Sequence, residues 1–173
     1  MRARMLFLGL TPLLGAFALF GIAGLRINYS ASLPAGLYIA SSEGAFVEFC
    51  PDDHGLSSQR GYRHTPLFIP SAKGVCPDGA APLLKPVIGK AADEIVLSPR
   101  GITVNGRLLP HSEPLAQDSA GRPLTHWPFG HYRAVSGTLW VVSSYNPRSY
   151  DSRYLGPIPQ SAVRARLRTL LTR

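Results

Sequence analysis

The sequence predicts a mainly β domain standing behind one apolar N-terminal segment. Three observations point there. Short runs rich in Val, Ile, Leu, Tyr and Thr recur along the chain, and these residues suit a pleated, half-buried surface. They are separated by frequent breakers: 17 Gly and 16 Pro among 173 residues interrupt the chain too often for long helices. Ahead of them, the stretch from Met5 to Leu25 carries no charged side chain.

At 1.5 Å rise per residue that stretch makes roughly 31 Å of helix, the thickness of a bilayer core. Pro12 falls near its first turns, where a membrane helix tolerates proline. Arg2 and Arg4 precede it, so the positive-inside rule keeps the N-terminus cytoplasmic and sends everything beyond Arg26 outward. Residues 1–27 are therefore expected to be a cytoplasmic N-terminus and anchor, and residues 28–173 one extracytoplasmic domain. Roughly 145 residues suffice for a single core. A cleaved signal peptide is the rival, since Gly21-Ile22-Ala23 loosely fits a cleavage site. The run is long for that role.

Strands are expected at Leu37–Ala40 and Ala45–Phe49, split by the turn-like Ser41-Ser42-Glu43-Gly44. Residues 50–82 turn polar and rich in Pro and Gly, which reads as an excursion from the core. Its flanks hold Cys50 and Cys76, the chain's two cysteines. In an oxidising compartment a disulfide between them would contribute about 3 kcal/mol on the chain-entropy model. A metal site is the competing reading, because Cys50-x3-His54-x9-His64-x11-Cys76 supplies two Cys and two His, although at no familiar zinc spacing.

Strands resume at Leu83–Ile88, Glu94–Leu97 and Gly101–Val104. Asn105-Gly106 then signals a tight hairpin turn into Arg107–Leu109. After a second polar loop over residues 110–128, Gly130–Val135 and Thr138–Val142 are strand-like. The tail Val163-Arg164-Ala165-Arg166-Leu167-Arg168 alternates apolar and basic residues, the period of a half-buried strand. The formal charge of +8 is dispersed, with a basic cluster at each terminus. Anionic lipid is one expected partner for that pattern and ordinary solubilising charge an equal reading, while nucleic acid is not expected.

A serine hydroxyl can be activated by a neutral lysine amine in place of histidine, which requires a lysine whose pKa burial has lowered. Lys85, inside the apolar strand Leu83–Ile88, fits that requirement best; on local context alone such a residue is more often an edge-strand lysine whose head reaches solvent. Ser30 and Ser32 stand shortly beyond the apolar segment, ahead of the rigid Pro34. The Ser32 N–H and the Ser30 hydroxyl are candidate donors to developing negative charge. By themselves they are also ordinary solvating serines. No histidine sits in a nucleophile-elbow pattern, and nothing implies a cofactor. Asn28-Tyr29-Ser30 matches a glycosylation pattern that is discounted so close to a membrane.

A further motif raises the standing of Ser32. Ser149-Tyr150-Asp151-Ser152-Arg153-Tyr154-Leu155-Gly156 closely resembles the last box of type I signal peptidases, and the order of segments agrees with that family. Ser32-Leu33-Pro34-Ala35-Gly36-Leu37-Tyr38 is most similar to the conjugative-transfer peptidases of the TraF group. The resemblance implies a signal-peptidase-like antiparallel β domain with a Ser/Lys dyad behind one transmembrane helix, in the bacterial inner membrane and facing the periplasm. It makes Ser32 the nucleophile, Lys85 the general base and Ser30 a candidate oxyanion donor. Ser149 would orient Lys85, and Asp151 with Arg153 would form a supporting pair. The chain departs from the family at Ser143-Ser144-Tyr145-Asn146, where signal peptidases carry Gly-Asp-Asn-Arg, and after Lys85, where of the usual turn only Asp93 persists.

The implied activity is endopeptidase cleavage of a membrane-borne precursor through an acyl-enzyme. A conjugative pilin precursor is the first expectation, with water or the substrate's own amine releasing the acyl group. The bilayer and other proteins of a conjugation apparatus are the remaining expected partners. A general leader peptidase acting on secreted preproteins would share every catalytic residue, and a non-catalytic component of a secretion apparatus would keep the boxes only for the fold.

Overall fold

The computed structural model describes residues 24–51, 76 and 82–173. The apolar segment up to residue 23 and most of the 50–82 excursion, including His54, His64 and Lys73, lie outside the described residues. No helix among those described is long and apolar enough to cross a membrane.

Among the described residues, eleven strands form two antiparallel sheets. The larger contains β1 (Leu25–Asn28), β2 (Gly36–Ala40), β3 (Phe46–Phe49), β4 (Leu83–Gly89), β9 (Thr138–Val141), β10 (Ile158–Pro159) and β11 (Val163–Thr172), in the order β1-β2-β11-β3-β4-β9-β10. The smaller contains β5 (Glu94–Ser98), β6 (Gly101–Val104), β7 (Arg107–Leu108) and β8 (Gly130–Arg133), in the order β7-β6-β5-β8. A single-turn helix, α1 (Ser152–Leu155), precedes β10.

The C-terminal strand lies inside its sheet. β11 pairs with β3 through Val163–Leu167 and with β2 through Leu167–Thr172, so it joins the first hairpin to the rest. Its alternation buries Leu167 and exposes Arg164 and Arg168, the pattern read from the sequence. β9 is buried on both faces. Leu139 and Val141 enter one core cluster with Val47, Phe49, Tyr150 and Tyr154. Trp140 and Val142 enter another with Ile95, Leu97 and Ile102 beneath the smaller sheet. An uninterrupted apolar run is what a strand packed on two sides requires.

The Asn105-Gly106 turn closes β6 onto β7, pairing Val104 with Arg107. Both turn residues have positive φ, 48° and 81°, as a two-residue hairpin matched to strand twist demands.

Three elements escape the sequence reading: β1, α1 and β10. β1 begins at Leu25, inside the segment assigned to the anchor, and pairs with β2 from Leu25 onward. Leu25-Arg26-Ile27-Asn28 alternates apolar and polar residues over only four positions, too short to stand out beside the apolar run.

Cys50 and Cys76 are joined in a disulfide. Both thiolates of the alternative zinc set are thereby consumed.

Candidate active site

Ser32 lies in the loop between β1 and β2, and Lys85 on β4. Successive strand residues alternate faces, so Lys85 shares a face with Leu83 and Val87, which pack on the main core cluster. That places its amine in the interior, with only 4% of the residue exposed. Lys85 Nζ lies 2.7 Å from Ser32 Oγ and 2.8 Å from Ser149 Oγ. The two hydroxyl oxygens are 3.3 Å apart.

Burial pushes the Lys85 amine down from 10.5 to about 8; the Asp151 carboxylate opposes the change and the Arg153 guanidinium adds to it. Taking an ammonium out of water disfavours its charged form, which yields an amine neutral enough to accept a proton.

Ser149, Asp151 and Arg153 come from the segment between β9 and α1. Asp151 caps α1, its Oδ1 accepting from the Arg153 N–H. Both members of the Asp151–Arg153 ion pair are wholly buried, with Nε 2.9 Å from Oδ1 and Nη2 2.9 Å from Oδ2. The guanidinium also donates to the carbonyls of Pro147 at 2.9 Å and Ser149 at 2.8 Å, which fixes the backbone carrying Ser149. Burial works against the Arg153 charge, but the charge and hydrogen bonds of Asp151, with smaller contributions from Tyr154 and Glu113, together hold the group above its ordinary value.

Gly156 ends the box in a conformation with φ 74°, and a Cβ there would stand 2.4 Å from the Trp127 ring. Glycine is required on both counts.

Ser30 sits on the rim of the same cleft, but its hydroxyl donates to Asn28 Oδ1 at 2.8 Å. A hydroxyl has one proton, so in this arrangement it is not available to an oxyanion. The expected donor role for Ser30 is thus unfilled here.

Ser32 and Lys85 open onto a cleft of about 320 Å³, with Arg26, Asn28, Glu48 and Tyr150 among its walls. Buried Glu48 is paired with Arg26, Nε to Oε2 at 2.6 Å. Asn28, Glu48 and Ser143 are the site residues that sequence reasoning missed. Asn28 was visible only as part of a glycosylation pattern. Ser143 was visible only as a departure from the family, although a serine closing the apolar run Leu139–Val142 is a polar group about to be buried.

The profile of a family described as signal peptidase, peptidase S26, matches residues 6–171. The chain belongs to that family. Plasmid transfer protein TraF of Escherichia coli is 34% identical over 158 residues, covering 87% of this chain and 85% of that protein. Conjugal transfer protein TraF of Agrobacterium fabrum is 32% identical over 182 residues, covering 99% and 97%. The chain is a TraF-type S26 member and, by class, a serine peptidase. A crystal structure of a signal peptidase I from Enterococcus faecalis matches with a TM-score of 0.34 and 17% identity, over 73% of this chain and 96% of that one, a likeness too slight to carry argument.

Proposed function

We propose that this S26 peptidase is a membrane-anchored endopeptidase of conjugation, with Ser32 as nucleophile and neutral Lys85 as general base. The observation that carries the reading is the 2.7 Å approach of Lys85 Nζ to Ser32 Oγ, made by an amine that burial has lowered to about 8. Lys85 takes the hydroxyl proton as Ser32 Oγ attacks a peptide carbonyl. The tetrahedral intermediate collapses to an acyl-enzyme, and the leaving amine receives the proton back from Lys85. Ser149 accepts from the lysine amine and holds it in line, while Asp151 and Arg153 fix the backbone of Ser149. The Ser32 backbone N–H is the proposed oxyanion donor, with the Ser30 hydroxyl contributing if it turns from Asn28 Oδ1 while the Ser30 N–H keeps its bond to that oxygen.

The TraF relatives are named for plasmid and conjugal transfer, which supports a conjugative pilin precursor as substrate. The apolar stretch from Met5 to Leu25 serves as anchor in the inner membrane, with the domain in the periplasm. The Cys50–Cys76 disulfide supports an oxidising compartment. β1 starts where that apolar stretch ends, so the nucleophile loop is tied close to the bilayer in which such a precursor resides. The acyl group passes either to water or to the precursor's own N-terminal amine, and exclusion of water from the cleft favours the amine.

The test co-expresses the cognate pilin precursor with the wild type, Ser32→Ala and Lys85→Ala, and weighs the product. Trimming is expected with the wild type alone, and ring closure gives a product lighter by one water than the linear trimmed chain. Unchanged processing by either variant would sink the mechanism.

A further inference from the structure

The loop carrying Ser32 belongs to no strand, so no sheet ladder holds it. Near-attack geometry is nonetheless sensitive to displacements of about 1 Å. Side chains do the holding. Asn28 Nδ2 shares its two N–H groups among the carbonyls of Ser30 at 3.1 Å, Leu33 at 3.1 Å and Pro34 at 3.2 Å. Its Oδ1 accepts from the Ser30 N–H at 3.1 Å and from Ser30 Oγ at 2.8 Å. The Pro34 carbonyl also accepts from the Tyr38 hydroxyl at 2.8 Å. From the segment that follows β9, Ser143 Oγ donates to the Ser32 carbonyl itself.

Neither holder is an incidental surface contact. Asn28 is 6% exposed and Ser143 is fully buried. Ser143 is itself fixed, since its N–H donates to Asp151 Oδ2 at 3.0 Å, the oxygen that also receives Arg153 Nη2. A line of hydrogen bonds thus runs from Arg153 through Asp151 and Ser143 to Ser32. It reaches the nucleophile without passing through Lys85.

We infer that Asn28 and Ser143 are positioning residues of the nucleophile, holding the carbonyls of the 30–34 loop from two separate segments of the chain so that Ser32 Oγ stays aimed at Lys85 Nζ. The inference rests on the reading of Ser32 as nucleophile. It also gives Asp151 a definite task, which is to seat Ser143.

The test uses the full chain in detergent micelles and p-nitrophenyl acetate as probe. Ser32 Oγ attacks the acetyl carbonyl, the C–O bond to nitrophenolate breaks, nitrophenolate leaves, and Lys85 takes the hydroxyl proton. Acetylation at Ser32 is followed by peptide mass in the wild type, Asn28→Ala, Ser143→Ala and Ser143→Thr, with Lys85 titrated in each by NMR of ε-13C-lysine. Both alanine variants are expected to acetylate about 10- to 100-fold more slowly at every pH while the Lys85 midpoint stays in place. Ser143→Thr, which keeps the hydroxyl, should recover to within a few-fold of wild type. Wild-type rates in the alanine variants would overturn the inference. So would a loss of rate fully accounted for by a moved Lys85 midpoint, or a threonine variant no better than alanine. Near-ultraviolet circular dichroism establishes that each variant is folded, and Ser143→Ala decides the matter if Asn28→Ala does not fold. Ser32→Ala and Lys85→Ala are run alongside with nitrophenolate release also recorded: wild-type release by Ser32→Ala, or wild-type acetylation of Ser32 in Lys85→Ala, would bring down the Ser32 and Lys85 reading itself, a result separable from failure of the clamp alone.

Discussion

Ser149 Oγ lies 2.8 Å from Lys85 Nζ, with Ser149 almost completely buried beside an amine that also reaches Ser32. With Ser149 as one partner and Ser32 as the other, the lysine has one orientation that satisfies both. Ser149→Ala removes the first partner and lets the amine swing. Cleavage should fall about 10- to 100-fold with substrate affinity little changed, because the loss lies in alignment for the chemical step. Single-turnover kinetics separate the two quantities, and a defect confined to KM would contradict the assigned role.

Activity should rise with pH. The base works only when neutral, and burial puts Lys85 at about 8, so the rate should be half-maximal near pH 8. At pH 7 roughly a tenth of the enzyme would hold the neutral amine. A pH–rate profile under single-turnover conditions checks this, and a rate flat from pH 6 to 9 would remove Lys85 as the titrating base.

The same burial has a cost in stability. Lys85 titrates at about 8 when folded and at 10.5 in its ordinary state, so between those values the unfolded chain binds more protons. Stability therefore rises with pH across that window, and the full penalty stands below pH 8. The apolar variant Lys85→Met should be inactive yet more stable than wild type at pH 7 by about 1–3 kcal/mol. The gap should close above pH 10.5. Urea unfolding at pH 7 and pH 10.5 measures both arms, and a destabilised Lys85→Met at neutral pH would argue against a strained buried amine.

The sequence showed those parts of the site whose chemistry is local. Lys85 is the lysine set inside the apolar run Leu83–Ile88, Asn105-Gly106 names its own turn, and Thr138–Val142 reads as a strand. Hidden were the relationships that depend on which strands pair. Lys85 meets a serine 53 residues earlier and another 64 residues later, in a sheet where β4 neighbours β3 and β9 and where β11 separates β2 from β3. No window of sequence encodes that. Asn28 and Ser143 were hidden for a related reason. A polar residue acquires its function from the carbonyls brought to it, and those lie on loops whose paths the tertiary fold sets.

Arg153 should be among the costliest residues to replace. Its guanidinium is fully buried, pairs with Asp151, and donates to the carbonyls of His111, Glu113, Pro147 and Ser149. Arg153→Met leaves a buried carboxylate without its cation, a loss of about 3–5 kcal/mol. Lysine would not rescue it, because an ammonium cannot present the same planar fork to Asp151 and the carbonyls together. Equilibrium unfolding in urea gives the value, and a loss below about 1 kcal/mol would mean that the pair contributes little beyond its own desolvation.

Gly156 meets two separable demands, and a double variant can separate them. Its φ of 74° with ψ of −156° lies where side chains are strained, at about 1–3 kcal/mol. An added Cβ would also drive into the Trp127 ring, whose backbone N–H is bonded to the Arg153 carbonyl at 2.8 Å. That clash adds about 1–3 kcal/mol. Gly156→Ala should therefore lower stability by about 2–6 kcal/mol and shift the tryptophan fluorescence. Combining it with Trp127→Leu makes room for the methyl but leaves the backbone strained. The alanine substitution should then cost about 1–3 kcal/mol less in the Trp127→Leu background than in the wild type, and an identical cost in both would show that strain alone selects glycine at this position.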